Sequence, residues 1–168
     1  AEGEGVGTSL KHFAVNNQET LRMSVSAEVD ERALHELYLR PFEIAVKEGA
    51  PSTVMCSYNR INGVYASENR MLLTRILREQ WGFDGLVMSD WGAVYRRPAG
   101  VAAGLDLEMP SSGGVTDREI VRAVRAGRLD EAALDALCAR VLRLALAHAP
   151  QRKKAYPAPV HNVAAVRR

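Results

Sequence analysis

Short apolar runs alternate with longer amphipathic segments along this chain. Four of the runs are rich in apolar or β-branched residues and have the length of buried parallel strands. They lie at residues 8–15, 53–58, 86–90 and 104–109. The segments between or after them carry apolar residues every three to four positions, which is typical of one face of a helix.

The first two helices are predicted on either side of the second strand. Asp30 is the expected N-cap of a helix over residues 31–47, and Gly49 is a plausible C-terminal stop. Pro41 lies within that helix and should kink or restart it, because proline removes a backbone donor. A second helix is predicted over residues 69–80, where leucine and isoleucine form an apolar stripe.

Two further helices are predicted after the last strand. Thr116 and Glu119 have the spacing of a capping box, and Gly127 closes that element. The last helix starts after Asp130 and has one apolar stripe before Pro150. The stripe consists of Leu134, Leu137, Cys138, Val141, Leu142 and Ala145.

The alternation of strand and helix predicts an α/β fold, with a parallel sheet covered by helices. A complete (β/α)8 barrel has eight strands and typically about 250 residues. Four strands in 168 residues therefore predict about half of a barrel, and we expect the chain to be a fragment. An open doubly wound sheet is the competing architecture, but Gly3, Gly5 and Gly7 precede the first strand, whereas a nucleotide-binding turn follows it.

Domain boundaries follow from the end of the periodic pattern. We expect one partial barrel domain over residues 1–149. Residues 150–168 contain three prolines and no helical or strand period, so they are predicted to be a linker or tail.

Composition and charge narrow the classes of function. The chain has 22 Lys and Arg against 20 Asp and Glu, and this formal net charge of +2 gives no large field for nucleic acid or an anionic membrane. Cys56 and Cys138 have no Cys or His at metal-ligand spacing, so we expect two small core residues and no metal or cofactor. No run of about 18 apolar residues is present to cross a bilayer, and residues 1–4 do not resemble a signal peptide.

Three of the predicted strands end in polar residues. These ends are Lys11-His12, Ser57-Tyr58-Asn59 and Ser89-Asp90-Trp91. In barrels and open α/β sheets the C-terminal strand ends build the active site, so these residues are candidates for function.

Asp90 is the strongest candidate. It ends an apolar strand, where burying a carboxylate without a partner costs free energy. Its alternative role is to cap the element that starts at Gly92. Trp91 is either a core residue or an apolar wall on which a sugar ring stacks.

Seven blocks of sequence, taken together, resemble glycoside hydrolase family 3 of the β-glucosidase type. They are KHFAVNNQE at 11–19, SYN at 57–59, NG at 62–63, SEN at 67–69, WGFDG at 81–85, MSDWGA at 88–93 and GLDLEMP at 104–110. Their order and spacing match over roughly residues 5–149. The resemblance implies retaining hydrolysis of a β-glucoside or related β-glycoside, by the second half of the family's N-terminal barrel domain.

The resemblance also implies roles for single residues. Asp90 corresponds to the nucleophile, Lys11 and His12 to groups that bind sugar hydroxyls, Arg22 to a substrate-binding arginine and Tyr58 to the tyrosine that orients the nucleophile. Trp91 is a further expected substrate contact.

The second catalytic carboxylate is not expected in this chain. The β-glucosidase branch supplies a Glu from a following α/β domain. The N-acetylglucosaminidase branch instead has an Asp-Ser-His loop after its Lys-His-Phe strand, and residues 17–22 here do not match it. Residues 94–98 also depart from the family's usual polar helix start.

Rival functions stay open at this point. The chain could be a non-catalytic remnant or carbohydrate-binding piece of such an enzyme, or a lyase or aldolase that uses Lys11 as a Schiff base. A half barrel with open edges would also self-associate.

The strand that ends at Lys11-His12 poses a geometric problem. Successive strand residues point to opposite faces, yet the resemblance places both side chains in one pocket. We therefore predict a bulge, an abrupt strand end or a cis peptide near residues 11–13.

Overall fold

The computed structural model describes residues 6–148, and a parallel sheet lies at its centre. The strands are β1 (Ser9–Phe13), β2 (Ser26–Ala27), β3 (Thr53–Cys56), β4 (Arg60–Ile61), β5 (Val64–Tyr65) and β6 (Leu86–Met88). The order of the central sheet is β1-β3-β6, and both pairings are parallel. A second, small sheet has the order β2-β4-β5. The predicted α/β class is therefore confirmed, and three of the four predicted strands form, at shorter length.

The fourth predicted strand, over residues 104–109, is wrong. Only Leu107 forms a bridge there, parallel to Met88. Main-chain hydrogen bonds join Leu107 to Val87 and Ser89, but the Val87 amide donates to the side chain of Asp106 at 2.8 Å, so no continuous ladder forms.

The helices cover the sheet largely where the sequence predicts them. They are α1 (Glu31–Ala33), continued by a π-helical segment at Leu34–Leu39 into α2 (Arg40–Gly49), a second π-helical segment at Met71–Gln80, and then α3 (Arg97–Ala103), α4 (Val115–Arg125) and α5 (Glu131–Ala147). Asp30 and Asp130 are N-caps, as predicted, with their carboxylates accepting main-chain amides. Pro41 lies in the first turn of α2, so it restarts the helix as expected.

One detail of the helix prediction is wrong, and two small elements were not predicted. Thr116 and Glu119 form no capping box: Gly114 is the N-cap of α4, and the Thr116 amide donates to the hydroxyl oxygen of Ser112 at 3.1 Å. The short helix α3 and the small sheet β2-β4-β5 were not predicted, because strands of two residues and a helix of seven carry too little period to recognise.

The core lies between the central sheet and the helices. Its largest fully buried side chains include Phe13, Leu73, Leu77 and Leu105. Phe13 at the end of β1 packs edge-on against Phe42 of α2, with ring centroids 5.1 Å apart. This packing fixes the end of β1 against a helix, at the edge where the candidate site lies.

The predicted apolar stripe of α5 is only partly buried. Leu137 is buried and Leu134 and Val141 pack beside it, but Leu142 is 61% exposed. Cys138 is exposed as well, so its prediction as a core residue is wrong, whereas Cys56 is buried as predicted. The helix contacts α3 and β6 and buries a narrower face than its sequence offers.

Candidate active site

The backbone at the C-terminal end of β1 departs from regular strand geometry. The peptide bonds before His12 and before Ala14 are cis, and the register of β1 on β3 shifts between Leu10 and Phe13. The prediction of an irregular backbone at this point is confirmed. The hydroxyl of Ser57 donates to the Ala14 carbonyl at 2.8 Å, so the second strand end holds the first.

Asp90 follows β6 directly and is buried, with 8% of its surface exposed. The amide of Trp91 donates to its Oδ1 at 2.7 Å. The Nε2 atom of His12 lies 3.5 Å from its Oδ2. One carboxylate oxygen is therefore fixed by the backbone, while the other faces the end of β1.

Tyr58 reaches the same carboxylate from the end of β3. Burial, together with a hydrogen bond to Asp90, raises the pKa of Tyr58. Because a neutral phenol donates its proton, this raised pKa keeps Tyr58 a donor to the carboxylate around neutral pH. Tyr58 is thus placed to orient the Asp90 side chain.

Arg22 completes the cluster from a turn outside the sheet. Its guanidinium carbon lies 4.5 Å from the ring centroid of Tyr58. Its Nη1 also pairs with Glu19 at 2.8 Å, and both side chains are partly exposed. The positive charge of Arg22 therefore lies beside the Tyr58–Asp90 pair. The pattern of apolar and polar residues did not predict that this turn would lie next to the two strand ends.

Lys11 and Trp91 belong to the same strand ends but are more open. Lys11 is exposed, and within residues 6–148 no hydrogen bond or ion pair holds its amine. Its surroundings do not provide the desolvation that a Schiff-base lysine uses. Trp91 is 53% exposed, so it is not a core residue.

Sequence reasoning missed two groups that support this cluster. Cys56, at the end of β3, is fully buried near Asp90, and this burial raises the pKa of its thiol to about 12. Glu68 is buried and accepts the amide and the Nε of Arg96, each at 2.9 Å, which fixes the loop after the nucleophile candidate. The signal for Glu68 was present in the block at 67–69, whose acidic residue had no assigned role.

Within residues 6–148 no group of three or more His, Cys, Asp or Glu side chains is arranged to hold a metal ion. None of the helices in this range is long and apolar enough to cross a membrane.

Comparison with known families gives a match over most of the chain. The family model described as the glycosyl hydrolase family 3 N terminal domain matches residues 1–144. Among curated proteins, the chain is 54% identical over 143 residues to thermostable beta-glucosidase B of Acetivibrio thermocellus, which covers 85% of this chain and 19% of that protein. It is 55% identical over 143 residues to an exo-alpha-(1->6)-L-arabinopyranosidase of Bifidobacterium longum, with the same coverage of 85% and 19%.

Solved structures agree with this match. A GH3 beta-glucosidase of Bifidobacterium adolescentis superposes with a TM-score of 0.84 at 53% identity, covering 88% of this chain and 22% of that chain. Beta-glucosidase 3B of Thermotoga neapolitana in complex with alpha-D-glucose gives a TM-score of 0.84 at 44% identity, with coverages of 87% and 21%. The chain thus spans about a fifth of the length of the relatives it matches.

Proposed function

Since this chain belongs to glycoside hydrolase family 3, by a family match over residues 1–144, we propose that it carries the nucleophile of a retaining β-glycosidase. The single observation that carries the proposal is the setting of Asp90: a buried carboxylate at the end of β6, fixed by the Trp91 amide and Tyr58 and facing His12. Such a carboxylate is oriented in advance and shielded from water.

The proposed reaction has two steps. An oxygen of Asp90 attacks the anomeric carbon, and the glycosidic C–O bond breaks as an acid elsewhere protonates the leaving oxygen. Water, deprotonated by that same group, then attacks the anomeric carbon and frees Asp90. In this scheme Lys11, His12 and Arg22 bind the sugar, and Trp91 offers its exposed face to the ring.

We assign the acid/base carboxylate to a part of the enzyme outside this chain. The partners of the Asp90 carboxylate within residues 6–148 are a histidine, a tyrosine and a main-chain amide, and no second carboxylate bonds to it. On the same reasoning we propose that residues 1–149 form the second half of the family's barrel domain. The predicted linker at 150–168 lies outside the described residues.

The substrate class follows the relatives. The curated relatives named above are a beta-glucosidase and an arabinopyranosidase, so we propose a β-glucoside or a related pyranoside as substrate. The half-exposed Trp91 is large enough to accept either ring.

The test compares Asp90→Asn with wild type in the full-length protein that contains this chain. A fluorinated β-glycoside should trap a covalent adduct, and mass spectrometry should find it on Asp90. Asp90→Asn should lower kcat by roughly 10³-fold or more, since it removes the nucleophile. Asp135→Asn, an exposed carboxylate of α5, is the matched control and should turn over normally.

Two results would count against the proposal. A label on another residue would remove Asp90 from its role. Turnover of an aryl β-glucoside by the 168-residue chain alone, at the rate of the longer protein, would show that the acid/base group lies inside this chain.

A further inference from the structure

The turn that carries Arg22 projects from the body of the molecule. Its own bonds are local: the Arg22 amide donates to the Glu19 carbonyl at 3.2 Å and the Ser24 amide to the Leu21 carbonyl at 2.8 Å. Leu21 and Met23 are 72% and 46% exposed. Such a turn opens easily unless a long-range contact holds it.

Tyr95 provides a long-range contact at the centre of this turn. Its hydroxyl donates to the main-chain carbonyl of Met23, across 72 positions of sequence. Gly92 also lies beside the turn, with the methyl of Met23 3.9 Å from the position that a Cβ would take. The loop after Asp90 therefore holds the turn next to Arg22.

Tyr95 is itself held in place by an aromatic stack. Its ring lies on that of Tyr65, with centroids 3.6 Å apart and planes 16° apart. The guanidinium of Arg60 lies 4.5 Å from the centroid of Tyr65 and donates to its hydroxyl at 2.9 Å. Partial burial, together with a hydrogen bond to Tyr65, raises the pKa of Tyr95 to about 12, so its hydroxyl keeps its proton and remains a donor at neutral pH.

We propose that Tyr95 is a positioning residue, whose hydroxyl anchors the Met23 carbonyl and thereby holds Arg22 against Tyr58 and the substrate side of Asp90. This inference rests on the proposed function. It also gives a role to residues 94–98, the segment that departs from the family's usual sequence. Within this segment Tyr95 provides both a ring that stacks on Tyr65 and a hydroxyl that donates to Met23.

The anchor is tested first without reference to activity. Trypsin cleaves the Arg22–Met23 bond only when the turn opens, and mass spectrometry of the full chain follows that cleavage. Tyr95→Phe keeps the stacked ring and removes the hydroxyl that bonds Met23 and also contacts the side chain of Tyr65. Cleavage should accelerate about 2- to 10-fold, the range that one neutral hydrogen bond gives. Wild type is the reference, and Tyr65→Phe, which removes a hydroxyl that bonds Arg60 and contacts Tyr95 but not Met23, measures what the stack contributes to the anchor.

The consequence for the reaction is tested by a double-mutant cycle in the full-length protein. Tyr95→Phe should raise KM for an aryl β-glucoside about 2- to 10-fold with a smaller change in kcat, because Arg22, which is proposed to bind the substrate, is no longer held in position. In an Arg22→Ala background the same change should have no further effect, since it acts only through Arg22.

The cleavage assay and the double-mutant cycle can each contradict the inference about Tyr95 without contradicting the proposed function. Equal cleavage rates in Tyr95→Phe and wild type would show that the Tyr95 hydroxyl anchors nothing. The same rise in KM with and without Arg22 would show that Tyr95 does not act through it. Absence of any glycosidase activity in wild type would count against the proposed function, while the cleavage rates would still decide the anchor.

Discussion

Cys56 and Cys138 show how a residue's surroundings, rather than its type, decide its chemistry. Cys56 is fully buried near Asp90, and burial raises the pKa of its thiol to about 12. Cys138 is exposed on α5. Only the thiolate is nucleophilic, so the two residues should differ widely in reactivity.

We expect iodoacetamide at pH 8 to alkylate Cys138 and to spare Cys56 in the folded chain. With a pKa of about 12, roughly one Cys56 thiol in ten thousand is ionised at that pH, and its burial blocks the reagent as well. Peptide mass spectrometry after a timed quench measures both sites. The control is the same reaction in urea, where both cysteines should react; rapid labelling of native Cys56 would contradict its burial.

Individual elements are joined by a buried carboxylate that the sequence does not reveal. Asp106 is 1% exposed and pairs with Arg78 from the second π-helical segment and with Arg140 from α5, each at 2.7 Å. It also accepts the amide of Val87 in β6. A strand, a π-helical segment and a helix therefore meet at one side chain, in the place where a fourth strand was predicted.

Asp106→Asn should lower the free energy of unfolding by about 3–5 kcal/mol, because it leaves two partly buried arginines without their counter-charge. Urea denaturation followed by circular dichroism measures the change. Glu79→Gln is a suitable control: Glu79 is exposed beside Arg78, and a surface change of this kind stays within about 0.5 kcal/mol. A loss for Asp106→Asn no greater than that of the control would mean that the ion pairs do not join these elements.

At the scale of the whole molecule, the two edge strands of the central sheet lack a full pairing partner in the described part of the chain. In the described part of the chain β1 pairs only with β3, and β6 has only an isolated bridge beyond it, at Leu107. Unpaired strand edges and exposed apolar groups favour association with another copy.

We therefore expect the 168-residue chain, purified alone, to self-associate as its concentration rises. Light scattering over a dilution series measures the average mass. Ser9→Lys places a charge at an exposed position of the edge strand β1 and should shift association to higher concentration. A monomer at all concentrations would rule out association through this edge.

The sequence by itself determined the features that depend on neighbouring residues. Apolar runs placed β1, β3 and β6, the aspartates at 30 and 130 capped their helices, and a carboxylate directly after β6 marked the candidate site. These features are readable because strand and helix periods and caps are set within a few residues. The family motifs predicted roles for His12 and Tyr58, and both side chains lie at the Asp90 carboxylate.

Only the tertiary structure decided the contacts between distant segments. Arg140 and Asp106 are 34 positions apart, and Tyr95 and Met23 are 72 positions apart. The exposure of Cys138 and Leu142 was decided in the same way, since a helix shows its apolar stripe in sequence but not how much of that stripe the sheet will cover. Burial and long-range pairing depend on how elements pack, and packing is a property of the folded chain rather than of any short stretch of it.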